Sequence, residues 1–173
     1  LRNTLAYEIH QAAGTDWHVA EPVRVLLGSK FWGLFDLVED GDGRWLQRLG
    51  RDPDGALYKV NDGLYSASLA EKKTREQEDK SDLASLIAVL QLPAEQRRLW
   101  LLDHVNLPAM VGFVASYDLT GNGDCCHKNF YAYRDTRGSG QWWLMPWDVD
   151  LSLGRNWSGT KGYLDDTLNA TGG

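Results

Sequence analysis

The stretch from residue 129 to residue 145 constrains the fold most. Two runs, Asn129-Phe-Tyr-Ala-Tyr-Arg134 and Gln141-Trp-Trp-Leu-Met145, are rich in strand-forming aromatic residues. Between them lies the polar, glycine-bearing turn Asp135-Thr-Arg-Gly-Ser-Gly140. The pattern predicts an antiparallel hairpin. A hairpin brings its outer ends to one edge, so the loop before residue 129 must meet the segment after residue 145. That segment reads Pro146-Trp147-Asp148-Val149-Asp150.

The remaining chain supplies elements of both kinds. Leu5, Ile9, Ala12 and Ala13 recur at helical spacing and Gly14 supplies a stop, predicting a helix over 2–13. Runs 23–27 and 31–38 flank Gly28-Ser29-Lys30 and predict a second hairpin. A short helix is expected over 44–49 and a short strand over 57–60. The mixed-charge run 71–80, EKKTREQEDK, reads as a solvated helix face or a mobile connector. Asp82 is expected to cap a helix running to Leu90, Pro93 to open one reaching Val105, and Asn106 to cap a third over 107–117. Strands and helices are segregated along the chain, so the fold class is α+β.

Composition narrows the partners. A net charge of −6 disfavours a nucleic-acid backbone as main partner. No apolar run approaches the about 20 residues that cross a bilayer. The 173 residues suit one domain, yet the chain opens at Leu1 with neither Met nor signal peptide and reads as the interior of a longer protein. Cys125 and Cys126 are adjacent, which predicts no disulfide framework, and two cysteines fall short of a structural zinc site.

Chemistry concentrates where the hairpin ends converge. Asp124 and Asn129 stand just before the first strand, Asp148 and Asp150 just after the second. Carboxylates and an amide oxygen meeting there make a hard-oxygen site suited to Mg²⁺ or Mn²⁺. Protein kinases use the same spacing: a catalytic-loop Asp, an Asn five residues on, and a metal-binding Asp beyond the next hairpin. By spacing alone, each aspartate reads better as a solvated turn residue or a helix cap than as a ligand.

At these motifs the sequence resembles the CotH family, protein-kinase-like proteins associated with the bacterial spore coat. The resemblance rests on Leu1-Arg2-Asn3-x-Leu5-Ala6, on Val23-x-Val25-Leu26-Leu27-Gly28 through Trp32-Gly33-Leu34-Phe35-x-Leu37-Val38-Glu39-Asp40, and on Leu57-Tyr58-Lys59. It rests most on Asp124-x-x-His127-Lys128-Asn129 and Pro146-Trp147-Asp148-x-Asp150. It implies an atypical protein-kinase-like fold over residues 1–173. It also implies transfer of the ATP γ-phosphoryl group, with Mg²⁺ or Mn²⁺, to Ser or Thr hydroxyls of a coat, surface or secreted protein. Asp124 would be the catalytic aspartate, and Asn129, Asp148 and Asp150 metal ligands, Asp150 reading equally as a structural cap. His127 would touch phosphate or orient its loop. Glu39 falls where a kinase hinge meets adenine, and Lys59 would contact phosphate unless it is a plain surface-strand lysine. Glu8 offers a helix carboxylate for a lysine partner.

The sequence also departs from a working kinase. It has no Gly-rich loop, no Val-Ala-Ile-Lys strand and no Ala-Pro-Glu segment, Asn122-Gly123 stands before Asp124, and Val149 stands where kinases carry Phe. The first strands of the small lobe are therefore expected to be missing, and the 173 residues alone to be poorly active.

Other readings compete. Asp118-Leu-Thr120-Gly-Asn122-Gly-Asp124 looks like the first half of a Ca²⁺ loop, although its twelfth position is Asn129 rather than Glu. The tryptophans Trp142, Trp143, Trp147 and Trp157 could stack on sugars, but paired Trp on a strand reads better as core and wall. A kinase fold kept without catalysis, as a coat or interaction protein, is the remaining alternative.

Overall fold

The computed structural model describes residues 1–154; Trp157 lies outside them. The described elements are α1 (Arg2–Ala12), β1 (Ala20–Leu27), β2 (Lys30–Val38), α2 (Gly43–Arg48), β3 (Ala56–Val60), a 3₁₀ turn (Ala67–Leu69), β4 (Glu71–Lys72), α3 (Ser81–Leu90), α4 (Ala94–His104), α5 (Leu107–Thr120), β5 (Phe130–Arg134) and β6 (Trp142–Pro146). The class is α+β, with antiparallel sheets, as expected. Among the described residues no helix is long and apolar enough to cross a membrane.

Both expected hairpins form. β1 and β2 make a two-stranded sheet of their own, while β5 and β6 belong to a four-stranded sheet of order β4-β3-β5-β6. The short strand β3 pairs along the full length of β5, from Ala56 opposite Arg134 to Val60 opposite Phe130. Side chains alternate between the two faces of this sheet. Tyr58, Val60, Phe130, Ala132 and Trp142 pack against α1, α3 and α5. Leu57, Tyr131, Tyr133, Trp143 and Met145 pack against Trp45 and Leu46 of α2. Covering on both faces explains why these strands are apolar throughout rather than alternating.

Two local expectations are corrected. The run 71–80 is neither helix nor free connector: it opens as β4, with Lys72 opposite Tyr58. The Lys72 ammonium is buried and donates to the Asp79 carbonyl at 2.6 Å, and the Thr74 hydroxyl accepts from Leu57 N–H at 2.9 Å. The free edge of β3 thus finds a partner, which outweighs the charge of the segment. Asp82 does not cap α3; it lies in the first turn, behind an N-cap at Lys80, and its carboxylate accepts the Tyr58 hydroxyl at 2.5 Å. Cys125 and Cys126 lie side by side in the tight turn after Asp124. Asn106 does cap α5 as expected, accepting from Ala109 N–H at 3.1 Å.

Candidate functional site

The β5–β6 register sets the site. Phe130 opens β5 directly opposite Pro146, the last residue of β6. Asn129 and the Trp147–Asp148 step therefore leave the sheet side by side. Both turn sharply: Asn129 has φ 56° and Asp148 φ 52°, left-handed backbone that Asn and Asp tolerate better than most residues.

The Asn129 amide then reaches both flanking acids. Its Nδ2 donates to Asp124 at 2.8 Å and to Asp148 at 3.2 Å. Asp124 is buried, with its side chain 4% exposed, and Lys128 Nζ stands 3.3 Å from its other oxygen. The Asp124 backbone N–H donates to Asn122 Oδ1 at 2.8 Å. Further bonds join this loop to the segment beyond Asp148: Gly123 N–H to Leu151 O at 2.9 Å, Leu153 N–H to Thr120 O at 2.7 Å, and Asn122 Nδ2 to Ser152 Oγ at 3.1 Å.

One helix tyrosine holds the turn from below and a second lies beside it. The Tyr117 hydroxyl accepts from Trp147 N–H at 3.2 Å and donates to Trp147 O at 3.3 Å. The Tyr7 hydroxyl of α1 lies near the Asp148 backbone N–H, which opposes the rise that burial imposes on its pKa. Neither tyrosine carries a motif signal; in sequence each is one apolar-face residue of a helix, and its reach to residues 147–148 arises only from packing.

Asp148 stands among other negative groups. Partial enclosure raises its pKa first, and the charges of Asp150 and Asp124 raise it further; Lys128 and Lys59 pull the other way. Lys59, on β3, stands over the Trp147 ring at 4.1 Å from its centroid. Asp124, Asn129, Asp148, Asp150 and Lys59 are therefore brought into one neighbourhood. The remaining candidates differ. The Glu39 carboxylate is held by Arg48 at 2.6 Å and by Val19 N–H at 3.1 Å. His127 and Glu8 are exposed on the loop and on α1.

The donor set has the chemistry of a hard-cation site, with two or three carboxylates and an amide. Among the described residues no group of three His, Cys, Asp and Glu side chains is arranged to hold a metal ion unaided. Mg²⁺ commonly takes only one or two carboxylates, with water and substrate phosphates completing its shell, so the residues fit a cation that arrives with a polyphosphate. The Asn129 amide would have to turn its oxygen inward to join.

The Ca²⁺-loop reading is corrected by the helix. α5 runs through Thr120, so Asp118 and Thr120 lie on a helical turn rather than a loop. The Thr120 hydroxyl donates back to Ser116 O at 2.9 Å, and Asn122 and Asp124 are bonded as described above. The tryptophans act as wall: Trp142 and Trp143 are each 5% exposed.

An α+β chain with an acid–amide cluster at the open end of an aromatic hairpin is thus defined. The family model for CotH kinase protein matches residues 1–172, and the chain belongs to the CotH family. It is similar to the inner spore coat protein H of Bacillus subtilis (strain 168), 26% identical over 181 residues that cover 95% of this chain and 49% of that protein. The chain spans about half the length of that relative.

Proposed function

We propose that this chain is an atypical protein-kinase domain that transfers the γ-phosphoryl group of ATP to a Ser or Thr hydroxyl. The observation that carries the reading is the single amide of Asn129 bonded to both Asp124 and Asp148. These bonds draw Asp124, Asn129 and Asp148 together, which supports giving them the Asp, Asn, Asp roles of a protein kinase. Membership of the CotH family supports it.

In this mechanism the acceptor oxygen attacks the γ-phosphorus and the bond to the β–γ bridging oxygen breaks, releasing ADP. Asp124 orients the acceptor hydroxyl and takes its proton. Lys128 and Asn129 fix the Asp124 carboxylate. Asp148, Asn129 and Asp150 would hold Mg²⁺ or Mn²⁺, which when bound supplies charge neutralisation for the phosphates. Lys59, which stands over the Trp147 ring, would meet the remaining phosphate charge. Catalysis is then mostly positioning and electrostatic stabilisation. The adenine contact near Glu39 belongs to the same proposal. So does a setting on a spore coat or cell surface, supported by the name of the Bacillus relative.

The experiment is transfer of label from γ-labelled ATP to a generic Ser/Thr-bearing acceptor protein with Mn²⁺. Label that appears in the wild type and disappears in Asp124→Asn supports the kinase. Mn²⁺–ATP binding without any transfer would favour the kinase-fold coat protein that has lost catalysis.

A further inference from the structure

His18 lies outside every motif, yet it sits at the back of the site. It is fully buried. Each ring nitrogen stands 3.0 Å from a backbone carbonyl: Nδ1 from Glu39, just past β2, and Nε2 from Pro146, at the end of β6. The ring stacks on Trp45 at 4.1 Å and 12° and meets Trp147 edge-on at 5.5 Å and 68°. Tyr7 and Tyr131 close the remaining sides at 5.1 and 5.7 Å.

A neutral imidazole has one N–H and one lone pair, so it can satisfy only one of the two carbonyls. Burial pushes the His18 pKa down to about 4, against the opposing pull of both carbonyls and of Glu39, with Arg48 lowering it further. The ring is therefore neutral at pH 7. The two carbonyls are not equivalent. The Pro146 bond is enclosed, whereas the Glu39 bond is only partly so. A buried carbonyl left unpaired costs its full desolvation penalty, while one near solvent can take water. Pro146 has no N–H, so its carbonyl is the one backbone polar group by which that residue can be held. The proton belongs on Nε2.

We propose that His18, as the Nε2–H tautomer, is a positioning residue: its bond to Pro146 O fixes where the chain leaves β6, and so where Trp147 and Asp148 stand beside Asn129. The inference rests on the reading of this cluster as a metal–ATP centre.

Two near-isosteric variants separate the bonds. The amide nitrogen of His18→Gln falls near the Nε2 position and can still donate to Pro146; that of His18→Asn falls near Nδ1 and cannot. Both lose the ring and its stacking, so a merely structural role lowers stability in both and leaves their Mn²⁺ affinities equal. Mn²⁺ is titrated calorimetrically into the wild type and each variant, and the imidazole tautomers of the metal-free wild type are read from a long-range ¹H–¹⁵N spectrum. The expected result is an Nε2–H His18, Mn²⁺ affinity nearly kept in His18→Gln, and affinity weakened about 10-fold or more in His18→Asn. With Mn²⁺ bound by the wild type, equal affinities in the two variants or an Nδ1–H ring overturn this inference alone. Failure of the wild type to bind Mn²⁺ overturns the metal–ATP reading and the inference with it. If neither variant folds, the wild-type tautomer decides.

Discussion

The hydroxyl of Tyr117 bonds both backbone polar groups of Trp147, accepting from its N–H at 3.2 Å and donating to its carbonyl at 3.3 Å. One side chain from the last turn of α5 thus clamps the residue that precedes Asp148. Tyr117→Phe keeps the ring and its packing on Phe113 at 4.6 Å but removes both bonds. The expected cost is about 1–2 kcal/mol of stability, read by denaturant unfolding, with a weaker Mn²⁺ affinity measured in parallel. Lost stability with unchanged Mn²⁺ affinity would show that the clamp does not serve the site.

Asp124→Asn tests the proton acceptor. The change is nearly isosteric but keeps one oxygen, which can face Asn129 or Lys128 and not both. Phosphoryl transfer should fall by about 10²–10⁴-fold, the range for loss of a general base, while Mn²⁺–ATP binding by calorimetry stays close to wild type. Transfer within a fewfold of wild type would remove Asp124 from the catalytic role.

Asp148→Asn should separate stability from function. A carboxyl whose pKa is raised by folding costs the folded state free energy at every pH where it is ionised. Removing that charge relieves repulsion with Asp124 and Asp150. The variant should melt no lower, and preferably higher, than the metal-free wild type by calorimetry. It should also lose Mn²⁺ binding. A lower melting temperature would mean that Asp148 stabilises the fold rather than burdening it for the sake of a ligand.

Acid should unfold the protein through its buried histidines. Burial lowers the pKa of both His10 and His18 from 6.5 to about 4. The unfolded chain then binds more protons than the folded one between those values. The stabilisation is complete above about pH 6.5 and is lost as pH falls toward about 4, by ~3 kcal/mol for each group. His10→Gln should flatten the slope of unfolding free energy against pH in that window, measured by urea titrations from pH 7.5 to about 4.5. A slope identical to wild type would mean that His10 takes up its proton as readily in the folded chain as in the unfolded one.

Much of this site can be read from the sequence because it is built on local rules. The aromatic runs 129–134 and 141–145 with a turn between them dictate a hairpin, and a hairpin dictates that Asn129 and Asp148 meet. The Asn106 cap is equally local. What escapes is set by packing across distant parts of the chain. Nothing near Leu57 says that β3 lies against β5, and the charges of 71–80 hide a strand that exists because β3 has an open edge. Tyr7, His18 and Tyr117 look like interior residues of three separate segments. They become supports of one turn only when α1, α5 and the sheet are packed together. Asp82 shows the converse: a favourable capping residue is drawn away by a long-range partner, Tyr58.

The most direct test of the central claim is single-turnover transfer of label from γ-labelled ATP, with and without Mn²⁺, in the wild type, Asp124→Asn and Asp148→Asn. The account predicts phosphoserine or phosphothreonine formed by the wild type only when Mn²⁺ is present, and strongly suppressed in both variants. Label transfer that persists in Asp124→Asn and Asp148→Asn would contradict it.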